Sequence, residues 1–210
     1  MFIEWIKENA LKMKPGTVIT DVTGVKTGVV EKVQEILPEG IEFIAAHPMA
    51  GREVSGVEGA NTEMFKGANY IVTPTEKNSK EAIEICRSIG ETLEFGSIRE
   101  LTTEKHDEMV GFLSQLTHCI AVSLMTTETA KEEIAVFSGD SFRDLTRIAK
   151  INDELWSELF LMNKDELIRQ MELFENEFSK LKKAIDTEDK EKIREIMRES
   201  TKRRLMFERK

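Results

Sequence analysis

One histidine stands where a general base would be useful. His47 follows the apolar run at residues 43–46 and precedes the sequence Pro-Met-Ala-Gly at residues 48–51. An unperturbed histidine has a pKa of about 6.5, so its ring can take up and release a proton near neutral pH. The spacing leaves two interpretations open: a catalytic base, or a histidine whose ring nitrogens only cap a turn.

Two arginines and an aspartate form a second group of candidate residues. Arg143 and Arg147 are four residues apart, so both project from one side of a predicted helix, and Asp144 lies three residues before Arg147. An arginine held by an aspartate presents a fixed pair of N–H donors to a carboxylate. The alternative is a solvated helix face with an ordinary salt bridge.

A long predicted helix carries two histidines and a glutamine. His106 and His118 are twelve residues apart, about three helical turns, which is too far for them to share one metal ion. Gln115 and His118 are three residues apart and share a helix face. They could line a pocket, or they could be buried polar residues satisfied inside a helical bundle. The sequence predicts no metal site.

The first half of the chain alternates helical and short apolar patterns. Helices are predicted at residues 2–13, 24–37 and 78–90, and strands at 18–21, 43–46, 70–72 and 93–95. This repetition predicts parallel strand–helix–strand units, although a Gly-rich loop at 47–69 separates the second and third strands. Functional side chains gather at the carboxyl ends of parallel strands. Asp21, His47 and Thr73 stand at three such ends.

The second half of the chain is predicted to be helical. No strand is expected after Gly96, and helices are predicted at residues 103–130, 142–150, 153–162, 164–185 and 188–207. We therefore predict an α/β domain at residues 1–96 followed by an all-α domain at residues 97–210.

The composition narrows the possible partners and location. The 210 residues carry a net charge of −9, which argues against nucleic acid or an anionic membrane but allows a small anionic substrate in a local cationic pocket. Cys86 and Cys119 match no metal-binding spacing and predict reduced core thiols in a cytoplasmic protein. We expect no signal peptide and no membrane span, because no run of about 18 uncharged apolar residues occurs.

The sequence lacks the usual mark of a dinucleotide site. Such a domain carries G-x-G-x-x-G between its first strand and first helix, and residues 1–210 contain no such run. Gly24 and Gly28 are separated by Val-Lys-Thr, which is the wrong spacing. We therefore expect the glycine-rich cofactor segment to be absent from this chain.

Five motifs occur together in a fixed order. They are D-V-T-G-V-K at residues 21–26, H-P-M-A-G at 47–51, His106-Asp107, S-Q-L-T-H at 114–118 and F-R-D-L-T-R-I-A at 142–149. In this order they resemble the prephenate and arogenate dehydrogenases over residues 1 to about 185. The resemblance implies the C-terminal half of a Rossmann-like parallel sheet at residues 1–96, followed by a helical dimerisation domain at 97–210.

The resemblance also implies an NAD- or NADP-dependent oxidoreductase of tyrosine biosynthesis. Such an enzyme removes hydride from C4 of prephenate, the ring carboxylate leaves as carbon dioxide, and 4-hydroxyphenylpyruvate results. His47 matches the histidine that takes the C4 hydroxyl proton. Many relatives have a serine at Gly24 that orients this histidine, a role left here to Thr23, to water or to no group. Asp21, Thr23 and Gly24 match positions beside the cofactor.

Further positions match the substrate pocket of that family. Arg147 matches the arginine that binds the ring carboxylate, and Asp144 is expected to hold it. His118 matches a pocket histidine, and Gln115 stands where relatives often have another histidine. Glu53 and Trp156 match additional pocket positions.

Several hypotheses follow from these residues. The first is a truncated prephenate dehydrogenase, impaired in cofactor binding; an arogenate dehydrogenase is an alternative. Another is a non-catalytic dimeric module that binds prephenate, tyrosine or a related ring acid. A separate polypeptide could also supply the missing half of the nucleotide-binding domain. The lone strand at 18–21 predicts that the helix at 2–13, or a neighbouring subunit, covers its edge and faces.

Overall fold

The computed structural model describes residues 2–51 and 61–208. The chain forms two compact units, Met1–Leu167 and Ile168–Lys210. The first unit contains the sheet and all described residues of the candidate site. The boundary predicted at residue 96 lies inside this first unit, so it does not separate the two compact units.

Four strands form one mixed sheet in the part of the chain that the structure describes. They are β1 (Val18–Thr20), β2 (Glu42–Met49), β3 (Asn69–Thr73) and β4 (Ser97–Glu100), in the spatial order β1-β2-β3-β4. β1 pairs with β2 in parallel and β3 pairs with β4 in parallel, but β2 and β3 are antiparallel, with His47 opposite Ile71.

The prediction of a parallel sheet is therefore wrong at its centre. A parallel pair needs a crossover connection, usually a helix. Within the described part of the link between β2 and β3, only a 3₁₀ turn at Thr62–Phe65 is present. Because β3 runs against β2, its carboxyl end at Thr73 points to the edge opposite that of His47, and only Asp21 and His47 share an edge.

The fourth strand lies later than predicted. The helix before it continues to Thr92, and Glu94 adopts a left-handed conformation with φ of 58°, which reverses the chain at residues 93–95. The strand begins only at Ser97, so the sheet extends past the predicted boundary at residue 96.

Helices cover both faces of the sheet. α1 (Phe2–Asn9) and α2 (Val29–Ile36) pack on one face, and α3 (Lys80–Thr92) packs on the other. Successive residues of a strand point to opposite faces, so Phe43 and Ala45 join the first core, whereas Ile44 and Ala46 join the second. Ile19 of β1 packs against the first cluster, so α1 and α2 cover one face of this strand. Among the described residues, β1 pairs with a strand on its β2 side alone, and the predicted cover of its other edge stays a prediction.

The helices of the second half begin at α4 (Thr103–Val110). A π-helical turn at Gly111–Gln115 joins α4 to α5 (Leu116–Met125). The others are α6 (Glu132–Ala135), α7 (Asp140–Thr146) with a 3₁₀ turn at Arg147–Ala149, α8 (Asp153–Met162), α9 (Lys164–Asp186) and α10 (Lys190–Arg204). The predicted helix at 103–130 thus ends early and contains a π turn, a feature that often marks functional sites.

The segment Thr103–Met125 is long and apolar enough to cross a membrane by length and composition. One such helix is weak support for a membrane span, because core helices of soluble proteins have the same properties. His106 and Asp107, near its start, are buried and hydrogen-bonded to residues from the β2 strand and from the loop after β1.

Candidate active site

A buried ion pair organises the loop between β1 and α2. The Nζ of Lys26 lies 2.7 Å from Oδ2 of Asp21 and 2.6 Å from the backbone oxygen of Ala46. The side chain of Lys26 is fully buried and that of Asp21 is 2% exposed. Burial lowers the pKa of Lys26, and the charge of Asp21 opposes this shift.

The same pair holds the backbone that carries His47. Oδ1 of Asp21 accepts a hydrogen bond from the backbone N–H of Ala46 at 2.9 Å, while Lys26 binds the backbone oxygen of Ala46. Both polar groups of the residue before His47 are therefore bound to charged side chains. The ion pair therefore holds the backbone next to His47, in addition to the pairing of β2 with β3.

Asp107 at the start of the long helix holds the other end of this loop. Its carboxylate accepts hydrogen bonds from the backbone N–H of Thr27 at 2.7 Å, from that of Lys26 at 2.9 Å, and from Nδ1 of His106 at 2.6 Å. Burial acts to raise the pKa of Asp107, but the hydrogen bonds from His106, Thr27 and Lys26 outweigh it and lower the pKa. Asp107 is therefore ionised at neutral pH.

A pair of histidines connects Asp107 to the cleft. Nε2 of His106 lies 2.8 Å from Nδ1 of His47. An ionised carboxylate can only accept, so Nδ1 of His106 carries a proton, and we assign its Nε2 as the acceptor of the hydrogen bond from Nδ1 of His47. The Nε2 of His47 is then unprotonated and available as an acceptor.

The electrostatic surroundings keep His47 neutral. Burial is the largest effect, and together with His106 and Lys26 it lowers the pKa of His47 from its usual value to about 3. A ring with this pKa is a hydrogen-bond acceptor throughout the physiological range.

A cleft of about 1370 Å³ opens beside His47. Its wall combines the loop after β1, the end of β2, the π turn and one side of α8. The predicted site residues that line it are Thr23, Gly24, His47, Gln115 and Trp156. Four chain segments that are far apart in sequence thus meet at one cavity.

His118 contacts the cleft through Trp156. The two rings stack with centroids 3.7 Å apart and an interplanar angle of 30°. Nδ1 of His118 donates to the backbone oxygen of Ser114 at 2.9 Å, which leaves its Nε2 as an acceptor. Burial lowers the pKa of His118. This pair offers a flat aromatic wall of the kind that a ring substrate can stack on.

Two comparisons with known proteins match this arrangement. Residues 1–97 match the model of the prephenate dehydrogenase nucleotide-binding domain, and residues 102–199 match the prephenate dehydrogenase dimerization domain. A prephenate dehydrogenase from Aquifex aeolicus, solved with hydroxyphenyl propionate and NAD+, superimposes with a TM-score of 0.88 at 31% identity, covering 99% of this chain and 73% of that one.

This chain belongs to the prephenate dehydrogenase family. A cyclohexadienyl dehydrogenase from Zymomonas mobilis is 31% identical over 92% of this chain and 67% of its own length. The prephenate dehydrogenase of Bacillus subtilis is 33% identical over 83% of this chain, which spans only 48% of that relative. The family resemblance and the fold class expected from the sequence are confirmed, with the sheet mixed and not wholly parallel.

Two expected roles in the loop after β1 do not match the geometry. Both carboxylate oxygens of Asp21 are bound to Ala46, Thr23 and Lys26, so this residue supports the loop and is not available to a cofactor. The hydroxyl of Thr23 lies within hydrogen-bonding distance of Asp21, Val25 and Lys26. The bond that orients His47 comes from His106 instead.

The predicted carboxylate-binding group is only partly assembled. Arg147 begins the 3₁₀ turn after α7 and is exposed, and among the described residues it does not line the cleft. Asp144 is exposed on α7, and within the described residues its carboxylate forms no hydrogen bond or ion pair, so the predicted contact with Arg147 is absent. An exposed pair of this kind gains little from the contact. Glu53 lies outside the described residues.

Four residues of the site received no role from the sequence. His106 and Asp107 were noted as a motif, and Lys26 as the end of another, but only the fold brings them together. Lys26 lies between valine-containing runs, a pattern that could have indicated a buried lysine. The adjacent residues His106 and Asp107 could have indicated a histidine oriented by a carboxylate. Asn163, which bonds to Gln115 and Asp107, belongs to no motif and had no sequence signal.

Replacing Lys26 tests the importance of the buried ion pair. We expect Lys26→Met to lower the free energy of unfolding by about 3–5 kcal/mol, because Asp21 is left buried without its counter-charge. Chemical denaturation followed by the fluorescence of Trp5 and Trp156, both in the first unit, measures the change. Lys105→Met is the matched control, since Lys105 is 61% exposed in its pair with Glu108 and should contribute less than about 1 kcal/mol. Equal costs for the two variants would contradict this account.

Proposed function

We propose that this chain carries the substrate-binding and catalytic part of a prephenate dehydrogenase of tyrosine biosynthesis. The observation that carries the proposal is the His47 ring at the cleft, whose Nδ1 is bonded to His106 and, through it, to Asp107, so that its Nε2 is left for a substrate. The family membership and the Bacillus subtilis relative named prephenate dehydrogenase support it. The reaction is the oxidation of prephenate at C4 with loss of its ring carboxylate.

The overall reaction explains why a weakly basic histidine is sufficient. Hydride leaves C4, the ring carboxylate departs as carbon dioxide, and the electron pair of the broken C–C bond enters the ring to make it aromatic. The C4 hydroxyl oxygen ends as the phenol oxygen, so no net proton is lost from it. His47 needs only to accept the hydroxyl hydrogen bond while C4 becomes electron-poor, and a low pKa does not prevent this.

His106 and Asp107, which form a hydrogen-bonded relay with His47, stabilise the transition state further. Positive charge that develops on the His47 ring in the transition state is transmitted through Nδ1 to His106, whose other nitrogen is bonded to the ionised Asp107. These groups are already oriented before substrate binds, so little reorganisation is required during the reaction. His106 is therefore a positioning residue for His47.

Substrate contacts are proposed from the wall of the cleft. Trp156, stacked on His118, is suited to the ring of the substrate, and Gln115 offers an amide. Arg147 is proposed to bind the ring carboxylate, and Glu53 stays a further proposed pocket residue. The Aquifex aeolicus neighbour was solved with hydroxyphenyl propionate, which supports a ring acid as ligand. Arogenate differs from prephenate only in the side chain and is the alternative substrate.

The residues present fit the nicotinamide end of a cofactor. When bound, NAD or NADP would accept the hydride from the ring. Thr23 and Gly24 line the cleft beside His47 and are proposed to contact the nicotinamide. A Cβ at Gly24 would lie 3.5 Å from Leu159, an ordinary contact, so the serine of many relatives would fit there. Residues 1–210 contain no G-x-G-x-x-G, and we propose that this chain binds the cofactor weakly.

A homodimer is proposed through the helical region. The matching family model is described as a dimerization domain, and Val136 and Phe137 are more than 80% exposed in the single chain. Apolar side chains exposed to this degree suit a surface covered by a second copy. Like the biosynthetic enzymes it resembles, the protein is proposed to act in the cytoplasm.

Turnover by the chain tests the proposed function directly. We expect NADH formation that requires prephenate and saturates only at high NAD concentration, and we expect His47→Asn to lower kcat by about 100-fold or more because the acceptor is displaced. Absorbance of NADH measures the rate. Ring-acid binding without turnover at any NAD concentration would favour the non-catalytic binding module instead.

Two substitutions at His106 test its positioning role. In His106→Gln the terminal amide oxygen can replace Nε2 as the acceptor for His47, whereas His106→Asn is too short to reach it. We expect kcat to fall by about 10-fold or more in the Asn variant and by clearly less in the Gln variant, with KM for prephenate little changed in both. Similar kcat values for both variants would show that the bond to His47 does not matter.

A further inference from the structure

The amide of Gln115 is bound at both of its ends. Its Nε2 donates to the backbone oxygen of Leu159 at 3.0 Å, and its Oε1 accepts from Nδ2 of Asn163 at 2.7 Å. Gln115 lies in the wall of the cleft, within the π turn, and is only 1% exposed. The side chain is therefore held in one position.

Two backbone carbonyls determine which way both amides face. A carbonyl oxygen can only accept, so the atom of Gln115 next to Leu159 has to be its nitrogen. The Asn163 atom 3.1 Å from the backbone oxygen of Asp107 has to be nitrogen for the same reason. That nitrogen then faces Oε1 of Gln115. The orientation of both amides therefore follows from these contacts alone.

One donor of this fixed amide remains. A glutamine amide has two N–H groups, and Leu159 uses one of them. In the described part of the chain, the second N–H has no partner, while the oxygen is turned to Asn163. Gln115 lies in the wall of the cleft, so this second N–H is the group that it has for a ligand there. An amide donor does not change with pH, whereas many relatives are expected to have a titratable histidine at this position.

We propose, resting on the proposed function, that Gln115 selects ring acids whose side chain carries a keto oxygen over those that carry an ammonium group. A fixed N–H donor is complementary to a keto oxygen, whereas an ammonium group has only donors and leaves both partners unsatisfied. Gln115 is the specificity-determining residue, and the site favours prephenate over arogenate.

Asn163 is the positioning residue for Gln115. It lies at the junction of α8 and α9, is 6% exposed, and uses its amide nitrogen for both Gln115 and the backbone of Asp107. The amide nitrogen of Asn163 that orients Gln115 therefore also binds the backbone of Asp107, which is bonded to His106. The proposed substrate selection by Gln115 and the orientation of His47 thus both involve Asn163.

Three phenolic acids that differ at one carbon of the side chain test the proposal by calorimetry on the full chain. 4-Hydroxyphenylpyruvate carries the keto oxygen, tyrosine carries the ammonium group, and 4-hydroxyphenylpropionate carries neither. We expect the native chain to bind the keto acid about 3- to 10-fold more tightly than the propionate, and tyrosine more weakly than the propionate.

Gln115→Met removes the donor at nearly constant volume. It should abolish the preference for the keto acid while changing the affinity for 4-hydroxyphenylpropionate by no more than about 2-fold. Gln34→Met is the matched control, because Gln34 is also a part-buried amide bonded to a backbone oxygen but does not line the cleft. The control should keep the native preference.

Asn163→Asp tests the positioning role separately. A carboxylate opposite Oε1 of Gln115 repels it and draws the nitrogen away from Leu159, so the ratio of keto acid to tyrosine affinity should fall even if the variant remains folded by circular dichroism. A native preference retained in Gln115→Met, or no preference in the native chain, would overturn the proposal. Failure of the native chain to bind any of the three acids would instead count against the proposed function.

Discussion

The buried contact between Lys26 and Asp21 is the constraint on which the site depends. Placing two charges where water cannot reach them costs several kcal/mol each, and the cost is offset only if every donor and acceptor is matched. Here the two charged groups bind the N–H and the oxygen of Ala46 in addition to each other. The backbone before His47 can therefore not move without leaving a buried charge unsatisfied.

The other residues of the site form a closed circuit of hydrogen bonds that begins and ends at Lys26. Lys26 fixes the backbone of Ala46, His47 bonds to His106, His106 bonds to Asp107, and Asp107 returns to the backbone N–H of Lys26. The circuit joins a loop of the sheet region to the first turn of the long helix. Nε2 of His47 is the nitrogen of this circuit that is left for the substrate. Asn163 bonds to both Asp107 and Gln115, so it connects the start of the long helix to Gln115.

The sequence predicted this site unevenly, for physical reasons. His47 was singled out by a motif and Trp156 by the family resemblance, and both line the cleft. Most helices were predicted because one face of each is apolar. The antiparallel pairing of β2 with β3 depends on the connection between them and not on the strands' own residues. The role of Asp21 was misjudged, because a carboxylate that binds a cofactor and one that binds a buried lysine look alike in sequence. Asn163 acts through contacts across the fold and leaves no local pattern.

Catalysis by His47 depends on a neutral ring with its proton on Nδ1. The chain has only three histidines, so nitrogen-15 spectra of their rings can be assigned one by one. We expect His47 to have a protonated Nδ1 and an Nε2 without a proton, and its signals to stay constant from about pH 8 to about pH 5, since its pKa is lowered to about 3. A proton on Nε2 of His47, or a titration of this ring near its usual pKa, would contradict the account.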